Sequence, residues 1–132
     1  MTTSSLNILL VEDDAPLLDL AAHSLRSAGH DVVAVTSAEE ARSILGAGTS
    51  VDCLVTDVAL PGASGLELVS AVTGERPDLL VVFATGQGDP RIHAEIRATG
   101  HPLLLKPYLP ASLCAAVSEL QAGHGGVGGG RS

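Results

Sequence analysis

The amino-acid sequence predicts an α/β domain with a five-stranded parallel sheet and helices on both faces of that sheet. Short β-type runs alternate with helical patterns five times along the chain, and strict alternation implies parallel strands joined by right-handed crossovers. The run LLVVFAT at 79–85 is uninterruptedly apolar, as expected for a strand covered on both faces. A length of 132 residues, 45% of them hydrophobic, suits one domain with one core.

The first half of the chain contains sequence patterns that predict two strands and two helices. The first strand is the apolar run 6–11, after which apolar residues recur at helical spacing and stop near Gly29. The β-branched run DVVAV at 31–35 predicts the second strand. Ser37 stands three residues before Glu40, a possible capping box that predicts the start of the second helix.

The second half continues the alternation. LPGASG is predicted to be a loop from its proline and two glycines, and Asp89 followed by Pro90 is typical of a helix start. The predicted elements are a third strand at 51–57, a helix at 66–72, a fourth strand at 79–85, a helix from Asp89 to near Gly100, a fifth strand at 102–106 and a fifth helix at 111–121. The glycine-rich tail is predicted to be disordered because it has few side chains to pack. We therefore expect a flexible segment 1–5, a folded domain 6–122 and a disordered tail 123–132.

Composition and charge exclude several classes of function. A net charge of -8 argues against nucleic-acid binding but permits a basic protein partner or a cation. No apolar run approaches the length of a membrane span, and MTTSSLN lacks a signal-peptide pattern, so a cytoplasmic protein without membrane association is expected. Cys53 and Cys114 lie in apolar runs, which predicts small buried hydrophobic residues more than a disulfide or metal pair.

Polar side chains stand at the predicted carboxyl ends of four strands, where open parallel sheets bind ligands. They are Glu12, Asp13 and Asp14 after the first strand, Asp57 at the end of the third, Thr85 at the end of the fourth and Lys106 at the end of the fifth. Clustered carboxylates repel one another unless a cation neutralises them, and oxygen ligands favour Mg²⁺, which usually also binds phosphate. Lys106 offers a point charge for that phosphate. Asp14 is predicted mainly as the N-cap of the first helix.

Four stretches, ILLVEDD, VTDVALPGASG, VVFATG and LLLKPY, resemble in order the signature stretches of the receiver domain of two-component response regulators (CheY-like). The resemblance covers roughly residues 6–121. It implies a flavodoxin-like (βα)5 three-layer sandwich with strand order 2-1-3-4-5. It also implies a phosphoacceptor signalling switch that is no enzyme beyond its own phosphorylation and dephosphorylation.

The resemblance assigns a role to each residue that matches the family pattern. The implied set comprises Asp57 as phosphoacceptor and metal residue, Asp13 as the direct Mg²⁺ ligand, Glu12 as a water-mediated ligand, the backbone carbonyl of Ala59 as a further ligand, Thr85 as the hydroxyl that binds the phosphoryl group and Lys106 as its cationic partner. A cis Lys106–Pro107 bond is implied as well.

The resemblance also implies partners. A histidine kinase or a histidine phosphotransfer protein would donate the phosphoryl group near the first helix. A downstream target would bind the face made by the fourth helix, fifth strand and fifth helix, and the chain would be a monomer or weak dimer. Either a free-standing regulator or a receiver module of a hybrid histidine kinase fits.

One position departs from the family pattern, and two other functions compete with the switch. Leu103 stands where many receivers carry an aromatic residue, which puts an aromatic switch in doubt, and Tyr108 is expected to pack the fifth helix on the sheet. A Mg²⁺-dependent phosphohydrolase with an aspartyl-phosphate intermediate commonly has a second acid two residues after the nucleophile, where this chain has Ala59. A non-phosphorylated scaffold is the other alternative, against which the full acidic cluster with Thr85 and Lys106 argues.

Overall fold

A computed structural model describes residues 5–86 and 88–130, with side chains up to residue 123. Within these residues strands and helices alternate as β1 (Asn7–Val11), α1 (Ala15–Ser27), β2 (Asp31–Val35), α2 (Ala38–Gly46), β3 (Cys53–Asp57), α3 (Gly65–Thr73), β4 (Leu80–Thr85), α4 (Pro90–Thr99), β5 (Leu103–Leu105) and α5 (Pro110–Gly130). Most of the predicted flexible N-terminus, residues 1–4, and the last two residues of the predicted tail lie outside the described residues.

The strands form one parallel sheet in the order β2-β1-β3-β4-β5, which confirms the predicted fold class. Because side chains alternate across a strand, each strand contributes to both faces of the sheet. One layer joins Leu9, Leu54 and Phe83 to the buried faces of α2, α3 and α4. The other joins Ile8 and Val55 to the buried faces of α1 and α5.

In the described part of the chain no helix has the length and apolar character needed to cross a membrane.

The helix starts follow capping chemistry, with one correction. Asp89 caps α4 as predicted. Ser37 caps α2 by accepting the Glu40 N–H at 3.2 Å, but the Glu40 carboxylate accepts the N–H of Thr36 at 2.9 Å instead of that of Ser37. The predicted capping box is therefore half formed, because the glutamate reaches one residue further back. A complete box lies at α3, where Ser64 and Glu67 exchange both bonds.

The last strand and last helix differ most from the predicted lengths. β5 has only three residues, whereas α5 runs to Gly130 and so passes the predicted end at residue 121 and enters the segment predicted to be disordered. Glycine is a poor helix former, which is why the composition of this segment did not predict a helix there. The domain limits at residues 6 and 122 stay predictions.

Both cysteines are free thiols, as predicted. Cys53 is fully buried in β3, and burial raises the pKa of its thiol to about 12. The Cys114 thiol is half-buried and donates to the Ser24 carbonyl at 3.5 Å. Each therefore acts as a small core residue.

Candidate functional site

The candidate site lies at the carboxyl edge of the sheet, where β1, β3, β4 and β5 end side by side. Thr56 pairs with Val11 on β1, and Asp57 pairs with Ala84 on β4. The register therefore brings the acid that ends β3 next to the residues that follow β1 and β5, although up to 49 residues separate them in sequence.

Lys106 joins the two buried carboxylates of this edge. Its Nζ lies 2.6 Å from Oε1 of Glu12 and 2.7 Å from Oδ2 of Asp57. Glu12 is 3% exposed and Asp57 is 6% exposed, so both acids are largely removed from water. Buried carboxylates require such pairing, since an isolated buried charge is costly.

Glu12, Asp57 and Lys106 bring two acidic groups together with one basic group. Desolvation by burial raises the pKa of Glu12, although the hydrogen bonds from Lys106 and from the Asp14 N–H oppose it. Burial lowers the pKa of Lys106, but its hydrogen bonds to Asp57 and Glu12 outweigh burial and raise that pKa overall. One ammonium group therefore serves two carboxylates, and the site retains an excess of negative charge.

A third acid completes a cation-binding arrangement. Glu12, Asp13 and Asp57 each place one carboxylate oxygen within 4.8 Å of the others. Asp13 is exposed and can bind an ion without further burial of its charge. Three oxygen donors without sulfur or imidazole suit a hard divalent cation. The residues present thus fit the predicted magnesium ion.

Residues next to these acids make short-range hydrogen bonds in the segments that follow β1 and β3. The Ala59 N–H donates to Oδ1 of Asp57 at 3.2 Å and so bends the loop after β3 back over the carboxylate. Asp14 accepts the Leu17 N–H at 3.1 Å as the N-cap of α1, which confirms its predicted role. The Asp14 N–H donates to Oε2 of Glu12 at 3.1 Å.

Thr85 and Lys106 connect β4 to β5 at this edge. Thr85 is fully buried, and its carbonyl accepts the Lys106 N–H at 2.9 Å. The Lys106–Pro107 peptide is cis, as predicted. Leu103 packs into the layer of α2, α3 and α4, whereas Tyr108 packs into the layer of α1 and α5, which confirms its predicted packing role.

Sequence reasoning missed Gly65, the first residue of α3. A Cβ built at Gly65 would stand 2.1 Å from the carbonyl oxygen of Asp57, a distance that no side chain tolerates. The N–H of Gly65 also donates to the Val58 carbonyl at 2.8 Å. Only glycine lets the start of α3 approach the β3 backbone this closely. The second glycine of PGASG was the available signal, but a loop interpretation accounted for it.

The fold and this edge define a doubly wound α/β domain with an acidic cluster and a lysine where such sheets bind ligands. Residues 8–118 match the response regulator receiver domain family, and the chain belongs to that family. The predicted family is thereby confirmed, and the chain is a signalling domain of the two-component type.

Curated relatives are longer than this chain. FixJ of Azorhizobium caulinodans, a transcriptional regulatory protein, is 36% identical over 116 residues, which cover 86% of this chain and 54% of that protein. FixJ of Bradyrhizobium diazoefficiens is 32% identical, with coverage of 90% and 58%. The chain thus spans about half the length of these two relatives.

Solved structures agree with the fold. The BeF3-activated DrrB receiver domain superposes with a TM-score of 0.78 at 25% identity and covers 89% of this chain and 97% of its own. A CheY-like receiver domain from Methanospirillum hungatei superposes with a TM-score of 0.85 at 24% identity, covering 92% of this chain and 97% of its own. The second likeness concerns the fold alone.

Proposed function

We propose that the chain is a phosphoacceptor switch that takes a phosphoryl group onto Asp57 from a histidine kinase or a histidine phosphotransfer protein. The observation that carries this proposal is the setting of the Asp57 carboxylate. One oxygen lies 2.7 Å from Lys106 Nζ and the other accepts the Ala59 N–H at 3.2 Å. The carboxylate is thus held in place at the sheet edge while an acidic cluster stands beside it.

The chemistry requires positioning and charge neutralisation more than covalent assistance. An oxygen of Asp57 attacks phosphorus, the phosphorus–nitrogen bond of the phosphohistidine donor breaks, and the electron pair of that bond leaves with the imidazole. Lys106 can then pair with a phosphoryl oxygen, and the Thr85 hydroxyl can donate to another. Glu12, Asp13, Asp57 and the Ala59 carbonyl would hold Mg²⁺, which supplies positive charge against the carboxylate and phosphoryl oxygens when it is bound.

Phosphorylation would change what the chain binds. The acyl phosphate adds charge and acceptor oxygens at a buried edge. Thr85 lies at the start of the connection to α4, and its carbonyl accepts the N–H of Lys106, the residue that follows β5. The target would bind the face of α4, β5 and α5. Leu105 and Leu109, 56% and 70% exposed, offer apolar contact area there. Because Leu103 is aliphatic, the proposed switch depends on Thr85 without an aromatic partner on β5.

The test is incubation with Mg²⁺ and acetyl phosphate, followed by intact mass, and with beryllofluoride, followed by NMR. We expect one phosphoryl adduct on the parent and none on Asp57→Asn, which keeps the size of the side chain but loses the nucleophile. Asp78→Asn, an exposed aspartate after α3, is the matched control and should still be modified. An unmodified parent, or an adduct that persists in Asp57→Asn, would contradict the proposal.

A further inference from the structure

We propose that Thr56 is a positioning residue for the Asp57 site and that its hydroxyl holds the main chain from which the phosphoacceptor and Ala59 project. The inference rests on the proposed function and adds a residue to its machinery. Thr56 is fully buried, and its Oγ1 donates a hydrogen bond to the Asp57 carbonyl oxygen at 3.0 Å.

Packing alone does not account for a hydroxyl at this position. Thr56 pairs with Val11 on one side and with Phe83 on the other, and both side chains belong to the apolar layer under α2, α3 and α4. A valine would have nearly the same shape in that layer. A buried hydroxyl is costly unless it is hydrogen-bonded, so its one described bond, to Asp57, is the feature that distinguishes threonine from valine here.

The bonded carbonyl lies at a crowded junction of the backbone. The backbone of Gly65 approaches the same Asp57 oxygen so closely that no Cβ fits between them. Val58, the next residue, is held on both sides, because its N–H donates to the Ala84 carbonyl at 2.9 Å and its carbonyl accepts the Gly65 N–H at 2.8 Å. Thr56 therefore contributes to the orientation of the peptide between Asp57 and Val58.

That orientation sets the course of the loop over the site. The chain passes from Val58 to Ala59, whose N–H returns to Oδ1 of Asp57 at 3.2 Å. The Ala59 carbonyl is the proposed backbone ligand for the cation. If the hydroxyl of Thr56 is lost, the peptide after Asp57 gains freedom, and the Ala59 amide and carbonyl shift relative to the carboxylate.

The test compares Thr56→Val, which removes the hydroxyl and keeps the shape, with Thr56→Ser, which keeps the hydroxyl. Thr73→Val is the matched control, since Thr73 also donates its hydroxyl to a backbone carbonyl, that of Val69 at 2.8 Å, but away from the site. The readouts are the amide NMR resonance of Ala59, the rate of adduct formation with acetyl phosphate and Mg²⁺, and the thermal midpoint.

We expect Thr56→Val to move the Ala59 resonance and to slow adduct formation about fivefold, the factor that corresponds to one typical hydrogen bond. Thr56→Ser should return both readouts toward the parent. Thr73→Val should lower the thermal midpoint while the Ala59 resonance and the rate stay at parental values.

The positioning role is overturned if Thr56→Val and Thr73→Val have the same Ala59 resonance and the same rate. Should Thr56→Val fail to fold, Thr56→Ala and Thr56→Ser decide, because they differ only in the hydroxyl; identical Ala59 resonances in those two variants would refute the role. An unmodified parent would refute the proposed function, and the Ala59 resonance would still decide whether Thr56 positions the loop.

Discussion

At the scale of single residues, Lys106 decides how two buried acids coexist. Its ammonium group lies within 2.7 Å of both Glu12 and Asp57, and their hydrogen bonds raise its pKa even though burial lowers it. The folded protein therefore binds this proton more tightly than the unfolded chain. The resulting stability is fully present below the ordinary lysine pKa of 10.5 and is lost as the pH rises through the higher pKa of the folded state.

The pH dependence of stability tests this account. We expect the free energy of unfolding of the parent to fall between about pH 9 and about pH 12 more steeply than that of Lys106→Met. Both proteins should carry Tyr108→Phe. Burial also raises the pKa of the Tyr108 phenol, so its ionisation would lower the free energy of unfolding over the same pH range as the pH rises. Urea unfolding without added metal measures the difference. Equal slopes would contradict the role of Lys106.

Gly65 is a position at which the fold requires the absence of a side chain. Gly65→Ala would press a Cβ against the Asp57 carbonyl, so we expect a loss of about 3 kcal/mol, as for an overpacked core. Gly74→Ala is the control: its φ is -62 degrees and no atom lies within 4 Å of the added Cβ. That change should stabilise the protein by roughly 0.5 kcal/mol. A similar sign for both substitutions in urea unfolding would refute the close approach.

At the scale of elements, α3 connects helix capping to the site. Its capping box of Ser64 and Glu67 stabilises the first turn, and that turn begins with the glycine that contacts Asp57. α2 has a comparable cap in Ser37, but the side-chain hydrogen bonds described for its first turn join only Thr36, Ser37 and Glu40, and none of them reaches Asp57. The same local chemistry therefore has different consequences in the two helices.

We predict that Ser64→Ala and Ser37→Ala each cost about 1 kcal/mol of stability. Only Ser64→Ala should also slow adduct formation on Asp57, because fraying of α3 loosens the backbone beside the carboxylate. Urea unfolding and the acetyl phosphate rate separate the two effects. If both serine variants react at the parental rate, or both are slowed alike, the link between the α3 cap and the site is wrong.

At the scale of the whole molecule, the chain has an excess of negative charge, and part of that charge is concentrated at the acidic site. The chain carries a net charge of -8, and three of its carboxylates converge within 4.8 Å. A cation that binds only the folded state stabilises it by mass action. The acidic cluster should therefore make global stability sensitive to magnesium.

We predict that Mg²⁺ raises the thermal midpoint of the parent and that Asp13→Asn abolishes this gain. Asp14→Asn is the matched control, because it removes the same charge one residue away and asparagine caps helices as well as aspartate does. It should keep the gain. Scanning calorimetry with and without Mg²⁺ measures the shift. A full gain in Asp13→Asn would show that the cation binds elsewhere.

The sequence by itself determined the features that depend on local pattern. Strand and helix order follow from hydrophobic periodicity, the Asp14 cap follows from helix-start chemistry, and the positions of Asp57 and Lys106 at strand ends follow from where each apolar run stops. Only the tertiary structure decided which groups touch. The Lys106 contact with Glu12, the approach of Gly65 to Asp57 and the surroundings of Thr56 depend on strand register and on how α3 packs on the sheet. Those contacts join segments from different elements, and a local pattern carries no information about their distance.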